Sequence, residues 1–208
     1  GYNMAKLKQP KGKIVRKYGE NIFGNAKFDR LLNRKPYGPG QHGQTRRRKP
    51  SNYAVQLRER QKIKFMYGLL EKQFRNTFKK AEKLKGETGT NMLQLLESRL
   101  DSIVYRLCFA PTRPAARQLV SHKHFLVNGK PVNIPSYLVK PGDIIEVKEK
   151  SKKMDIVLDA MRRIKGDIEL PWLELDKAKM SGTFIAVPER DQMNLNIKEQ
   201  LVVELYSK

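Results

Sequence analysis

Residues 112–130 read TRPAARQLVSHKHFLVNGK, and this stretch decides the fold. Thr112 is placed to cap a helix whose first turn tolerates Pro114 and which runs to about Ser121. Phe125, Leu126 and Val127 then read as a strand, and Asn128-Gly129 is a strong short-range hairpin signal. Arg113, Arg117 and Lys123 lie along the segment, and no cluster of acids opposes them. Arg113 and Arg117, four residues apart, share one helix face, while Leu119 and Val120 are expected to turn toward the hairpin. A helix and hairpin with one basic face suits folded RNA, whose phosphates and 2′-hydroxyls are contacted across a broad surface.

Downstream, residues 136–139 and 144–147 read as two further strands around a Pro141-Gly142-Asp143 turn. Upstream, Leu93, Leu96, Leu100, Ile103, Val104 and Leu107 predict one helix that stops before Pro111. Before it, Ser51 caps a long helix with Ile63, Met66, Tyr67, Leu70, Phe74, Phe78, Ala81 and Leu84 at spacings of three and four. That apolar stripe is core. Lys62, Lys64, Lys72, Arg75, Lys79, Lys80 and Lys83 occupy the opposite face, and Gly86 and Gly89 end the region. After residue 150, a last helix over 151–164 precedes short strands at 172–175, 184–187 and 201–206.

Charge is distributed unevenly. The chain holds 43 Lys and Arg against 21 Asp and Glu, with 24 basic and 6 acidic side chains in residues 1–96. Residues 97–150 hold 9 against 5, and residues 151–208 are neutral at 10 against 10. Such a concentrated field points to a polyanion, whereas a solubility requirement would spread modest charge around the surface. A membrane fits poorly: no apolar run of about 18 residues exists, the N-terminus lacks a secretory core, and the first 50 residues are poor in Trp, Phe and Leu. RNA or DNA is the better partner. Cys108 stands alone, so an intramolecular disulfide or a multi-cysteine metal site is excluded; it falls in an apolar helical stretch and is expected to pack as a small core residue. His42, His122 and His124 lack a ligand cluster, no cofactor is implied, and cysteine usage suits a reducing, cytosolic compartment.

Residues 1–50 hold 14 Lys and Arg against Glu20 and Asp29, with weak apolar periodicity. They are expected to become ordered mainly on RNA, because they bury too little to offset their ordering entropy. Within them, the run Tyr37-Gly38-Pro39-Gly40-Gln41-His42-Gly43 has turn chemistry that brings backbone close to a ligand, and Arg46, Arg47, Arg48 and Lys49 follow directly. By itself the glycine pattern fits an ordinary loop equally well. The candidate RNA contacts are therefore Lys13, Arg16, Lys17, Tyr37, Gln41, His42, Arg46, Arg47, Arg48, Lys49, Tyr53, Gln56, Arg58 and Lys62, then Arg113, Arg117, Gln118, Ser121, His122, Lys123 and Asn128. Cations would neutralise phosphate; Gln56, Gln118, Ser121, His122 and Asn128 would add hydrogen bonds to sugars and base edges. Tyr37 and Tyr53 are placed to stack on bases or to pack against their neighbours.

No phosphate-binding Walker loop, zinc-hydrolase helix or nucleophile elbow occurs. The string Arg99-Leu100-Asp101 resembles the aspartate motif of pseudouridine synthases, but it continues as Ser102-Ile103-Val104 in a helical pattern rather than into a loop. Asp101 is expected to be an exposed or ion-paired helix residue, and the chain is read as non-enzymatic. A free-standing RNA chaperone or messenger repressor would use the same chemistry.

Four strings carry a resemblance: YGPGQHG at 37–43, YAVQLRERQKIKFMYGLLEKQFRNTF at 53–78, SRLDSIVYRLCFAPTRPAARQLVSHKHFLVNGKPVNIPSYLV at 98–139, and VVELYSK at 202–208. The chain resembles, almost end to end, the family of the fourth protein of the small ribosomal subunit in its bacterial and organellar form. The resemblance implies a primary binder of small-subunit ribosomal RNA that nucleates the subunit body. It also implies a contribution to decoding accuracy beside the fifth small-subunit protein, a position near the third, and a cytoplasmic ribosomal location. Some relatives hold the N-terminal segment with four cysteines and zinc; residues 1–50 contain no cysteine, so this is a zinc-free version. Met4-Ala5 matches the usual family start, and Gly1, Tyr2 and Asn3 are expected to carry no function. The expected fold is α+β: a basic extension over 1–50 and a helical domain over 51–96, then a small helix-and-antiparallel-sheet RNA-binding domain over 97–150. Residues 151–208 are expected to pack back on this core, and the protein is expected to require no homo-oligomer.

Overall fold

The computed structural model describes residues 9–45, 49–162 and 170–207. The chain forms two compact units, one reaching from the start of the chain to Asn76 and including Ile197 onward, the other from Thr77 to Asn196.

The first unit is helical. Helix α1, Lys11–Tyr18, buries Ile14 and Val15 and ends at Gly19, whose φ of 69° lets its N–H return to the Val15 carbonyl at 2.8 Å. In α2, Ala26–Arg34, the Asn25 side chain accepts from the Lys27 N–H as an N-cap. Ser51 caps α3, Asn52–Met66, by accepting from the Ala54 N–H. The periodicity predicts one helix over 63–84, but the chain turns at Gly68 with φ 63° before α4, Glu71–Glu82, within which the two units divide. Residues 1–50 do more than the composition suggests. Ile14 and Ile22 pack on Phe65, with Tyr18, Phe23 and Met66 around them. The extension gains a core by using the end of α3, a partner that its own apolar count does not reveal.

Residues 201–206, expected as a strand, lie instead in α9, Glu199–Tyr206, which packs on α3. Local β-propensity yields here to burial of Val202 on a helical face.

The second unit is a helix-and-sheet body. Helices α5, Thr88–Glu97, and α6, Leu100–Arg106, replace the single helix expected over 93–107. At Arg99 the backbone is extended (ψ 140°) and bridges to Leu138, while the Leu100 N–H donates to the Tyr137 carbonyl at 2.8 Å. Residues 136–139 therefore form that bridge and no strand. The apolar rhythm continues across the break because both helices bury the same side. Cys108 lies beyond α6 rather than inside a helix: it is half-buried with φ 58°, and desolvation pushes its thiol pKa up.

Helix α7, Arg113–Ser121, is capped by Thr112, whose side chain accepts from the Ala115 N–H. Strands β1, Phe125–Val127, and β2, Lys130–Pro131, form the hairpin, with Asn128 and Gly129 at φ 49° and 75° as a turn of two left-handed residues requires. β3 is Ile144–Val147, β4 is Leu173–Asp176 and β5 is Ser181–Phe184. Among the described residues they make one antiparallel sheet in the order β2-β1-β3-β5-β4. Helix α8, Asp155–Arg162, follows a 3-10 turn at Glu149–Ser151; Ile164, expected at its end, lies outside the described residues.

One sheet face covers the core. Phe125, Val127, Ile145, Val147, Leu173 and Phe184 meet Leu100, Ile103, Leu107, Phe109, Leu119 and Val120. β5 begins three residues earlier than residues 184–187 suggested, because Gly182 and Phe184 point inward while Ile185 and Val187 are exposed. A Cβ on Gly182 would stand 2.5 Å from the Leu107 methyl carbons. Gly182→Ala is accordingly expected to cost about 1–3 kcal/mol by overpacking, read as a lower denaturant midpoint.

Candidate nucleic-acid interface

The two arginines of α7 are not presented to solvent as lone cations. Glu97, its side chain fully buried at the end of α5, accepts from Arg106 Nη2 at 2.7 Å and Arg106 Nε at 3.0 Å, and from Arg113 Nη2 at 3.3 Å. Asp101, buried in α6, accepts from Arg99 Nε and Nη2 at 3.0 and 2.8 Å and from Arg117 Nε at 2.9 Å. Arg113 also lies 4.7 Å above the Tyr105 ring. The reading that no acids oppose Arg113 and Arg117 is thus corrected. Their partners sit sixteen residues upstream, on helices brought alongside α7 only by the fold. Asp101 is ion-paired, one of the two expected states, and buried.

Asn128 is also committed internally. Its Nδ2 donates to Asp143 at 2.8 Å and its Oδ1 accepts from the Ile144 N–H at 2.9 Å, locking the hairpin to β3. The Ser121 hydroxyl donates to the Arg117 carbonyl at 2.8 Å within the helix. Gln118, His122, Lys123 and Lys130 remain exposed on the outside of this helix and hairpin. Lys123 leaves α7 with φ 64°, and among the described residues neither its ammonium nor that of Lys130 has an acidic partner. His124 Nδ1 lies 2.9 Å from Ser151 Oγ, and desolvation, then the nearby His122 and Lys148, holds the His124 pKa below the ordinary value.

In the helical unit, Arg16 builds the glycine loop. It donates to the Tyr37 and Gly38 carbonyls at 3.0 and 2.8 Å and lies 4.8 Å from the Tyr37 ring centre, so Tyr37 is half-buried beneath it. Gly43 packs so closely on the Gly38 carbonyl that no Cβ fits, which explains the glycine there. Gln41, His42 and Lys49 are exposed on or just beyond the loop; Arg46, Arg47 and Arg48 lie outside the described residues. Gln56 and Lys62, expected to face RNA, are instead buried: Gln56 donates to Glu204 at 2.9 Å, and Lys62 pairs with Glu20 at 2.7 Å. The basic stripe concealed that the α1–α2 connection covers α3 at Lys62, and nothing local to Gln56 showed that α9 covers it. Lys13 and Tyr53 are exposed, Lys17 donates to Gln61 at 3.3 Å, and the exposed Arg58 donates to the Lys17 and Tyr18 carbonyls.

Cations on α2 escaped the sequence reading. Lys27, Arg30 and Arg34 are exposed at spacings of three and four, and the signal was present in that spacing but diluted by the short helix. Helix α4 likewise exposes Lys72, Arg75, Lys79 and Lys80. Among the described residues, no group of three or more His, Cys, Asp and Glu could hold a metal ion, and no helix is long and apolar enough to cross a membrane.

Two carboxylates buried against arginines, cations exposed on α2, α4 and beside the hairpin, and a helix–hairpin on an antiparallel sheet define a nucleic-acid-binding class of protein. Residues 6–97 match the ribosomal protein S4/S9 N-terminal domain and residues 98–145 match the S4 domain, so the chain belongs to the ribosomal protein S4 family. It is 57% identical over 205 residues to the small ribosomal subunit protein uS4 of Parabacteroides distasonis, covering 99% of this chain and 100% of that protein. The protein of that name from Bacteroides fragilis is 54% identical over 205 residues, and that from Chlorobaculum tepidum 52% over 206, each with 99% of this chain and 100% of the relative covered. The family is structural and non-enzymatic, which sets aside the modifying-enzyme alternative.

Proposed function

We propose that this protein is a structural constituent of the small ribosomal subunit in the cytoplasm. It binds small-subunit ribosomal RNA directly, helps nucleate the subunit body, contributes to translational accuracy, and neighbours the fifth and third small-subunit proteins. The observation that supports the RNA reading is the distribution of charge: Glu97 and Asp101 are buried against arginines, while Lys27, Arg30 and Arg34 on α2, Lys72, Arg75, Lys79 and Lys80 on α4, and Lys123 and Lys130 beside the hairpin are exposed, in a chain of net charge +22. Binding is then driven largely by release of condensed counterions. Lys13, Lys17, Gln41, His42, Lys49, Tyr53, Arg58, Gln118, His122 and Lys123 are the contacts proposed from the sequence that stay accessible, with Arg46, Arg47 and Arg48 proposed beside them. Arg16, Gln56, Lys62, Arg113, Arg117 and Asn128 serve by holding that surface in shape.

The test is titration of the full chain onto a small-subunit ribosomal RNA transcript across a salt series. Lys123→Gln with Lys130→Gln should lower the slope of log affinity against log salt by roughly 1.4–1.8, from about 0.7–0.9 per phosphate contact. An unchanged slope would remove this face from the interface. For the assembly role, reconstitution from the transcript and the other small-subunit proteins should stall when this chain is omitted; normal recruitment of the fifth protein would refute it.

A further inference from the structure

Helices α1 and α2 approach closely enough that a Cβ on Gly12 would stand 3.1 Å from Leu31 Cδ2, and between them lies a groove of about 570 Å³. Its floor is apolar, made by Gly12, Phe28 and Leu31, and its rim is Lys11, Lys27, Arg30 and Arg34. Lys27, Arg30, Leu31 and Arg34 fall at i, i+3, i+4 and i+7, one face of α2 spanning roughly 10 Å of helix axis. None of the four rim side chains has an ion-pair or hydrogen-bond partner among the described residues; Lys11 and Lys27 lie only over the rings of Phe23 and Phe28, at 5.2 and 5.4 Å. Burial, and then the neighbouring Lys27, holds the Lys11 pKa below its ordinary value.

An apolar floor inside a ring of unneutralised cations suits a flat ring that offers an apolar face and carries phosphates, the chemistry of a nucleotide. We infer that this groove seats one unpaired nucleotide of the ribosomal RNA, its base against Leu31 and Phe28 and its flanking phosphates between Lys11, Lys27, Arg30 and Arg34. The inference rests on the RNA-binding reading and goes beyond it. It assigns a seated base, and not phosphate attraction alone, to residues that neither the sequence motifs nor the hairpin surface include.

Leu31→Lys separates the two modes, because it adds a cation while filling the floor. With the full chain and the small-subunit transcript, a seated nucleotide predicts that Leu31→Lys weakens binding about 5-fold or more, the effect of losing the apolar contact beneath the base. Arg30→Gln with Arg34→Gln should lower the salt slope by about 1.4. Equal or tighter binding by Leu31→Lys, with helicity unchanged by circular dichroism, overturns the inference. Cross-linking of the unaltered protein to a 4-thiouridine-substituted transcript provides a measurement that does not depend on the variant folding. An adduct within residues 26–34 is expected; adducts confined to other segments overturn the groove. Competition by free guanosine triphosphate at that adduct, without loss of transcript binding, would instead make it a site for a free nucleotide and also overturn the inference. If the unaltered chain fails to bind the transcript at all, the broader RNA reading falls; if it binds and the groove variants match it, the groove alone falls.

Discussion

Glu97→Ala is expected to destabilise the helix-and-sheet unit by about 3–5 kcal/mol, the cost of leaving buried cations without their counter-charge. The Glu97 side chain is fully buried and receives Arg106 and Arg113, whose side chains are themselves only 20% and 11% exposed. Neither guanidinium can lose its proton, so removal of the carboxylate leaves two positive charges facing each other in a poorly solvated space. Arg113→Ala should cost less, because Glu97 retains both contacts from Arg106. Adding Arg113→Ala to Glu97→Ala should recover part of the loss, since one of the stranded charges is gone. Denaturant unfolding of the four proteins closes a double-mutant cycle, and additive losses would show that Arg113 and Glu97 are not coupled. By the same logic Arg117→Ala should lower stability by unpairing part of Asp101, with any fall in RNA affinity following from the displaced helix.

Phe125→Ala should cost about 3–5 kcal/mol, as truncation of a fully buried aromatic removes its transfer energy and leaves a cavity. Phe125 begins β1, is 0% exposed, and stacks on Phe109 with ring centres 6.1 Å apart. It joins the hairpin to the loop after α6, so the hairpin surface depends on it. Leu126→Ala, one residue along and on the opposite sheet face, should change stability far less. A small effect at Phe125, or equal effects at the two positions, would mean that the strand register differs from the pairing of Phe125 with Val147.

Much of the local structure was legible in the chain itself. Thr112 before Pro114, the Asn128-Gly129 pair and Ser51 act through their own backbones and nearest neighbours, so cap and turn chemistry located them. The imbalance of charge and the long motif strings likewise pointed to RNA and to the S4 family before any contact was known. Periodicity could not show that the rhythm over 93–107 breaks at Arg99, because two helices burying one side keep the same beat. Nor could it place residues 201–206 in a helix, since the surface that covers Val202 belongs to α3.

The largest revision concerns which cations are available. Arg113, Arg117 and Lys62 look like surface ligands in one dimension, yet each is matched by a carboxylate distant in the chain: Glu97, Asp101 and Glu20. Coulomb attraction depends on separation in space, and sequence distance carries almost no information about it. Composition and local patterning therefore determined that this protein would be a basic, helix-and-hairpin RNA binder. Only tertiary packing decided which positive charges became part of the framework and which were left facing outward, because burial turns an arginine's partner from water into a particular carboxylate.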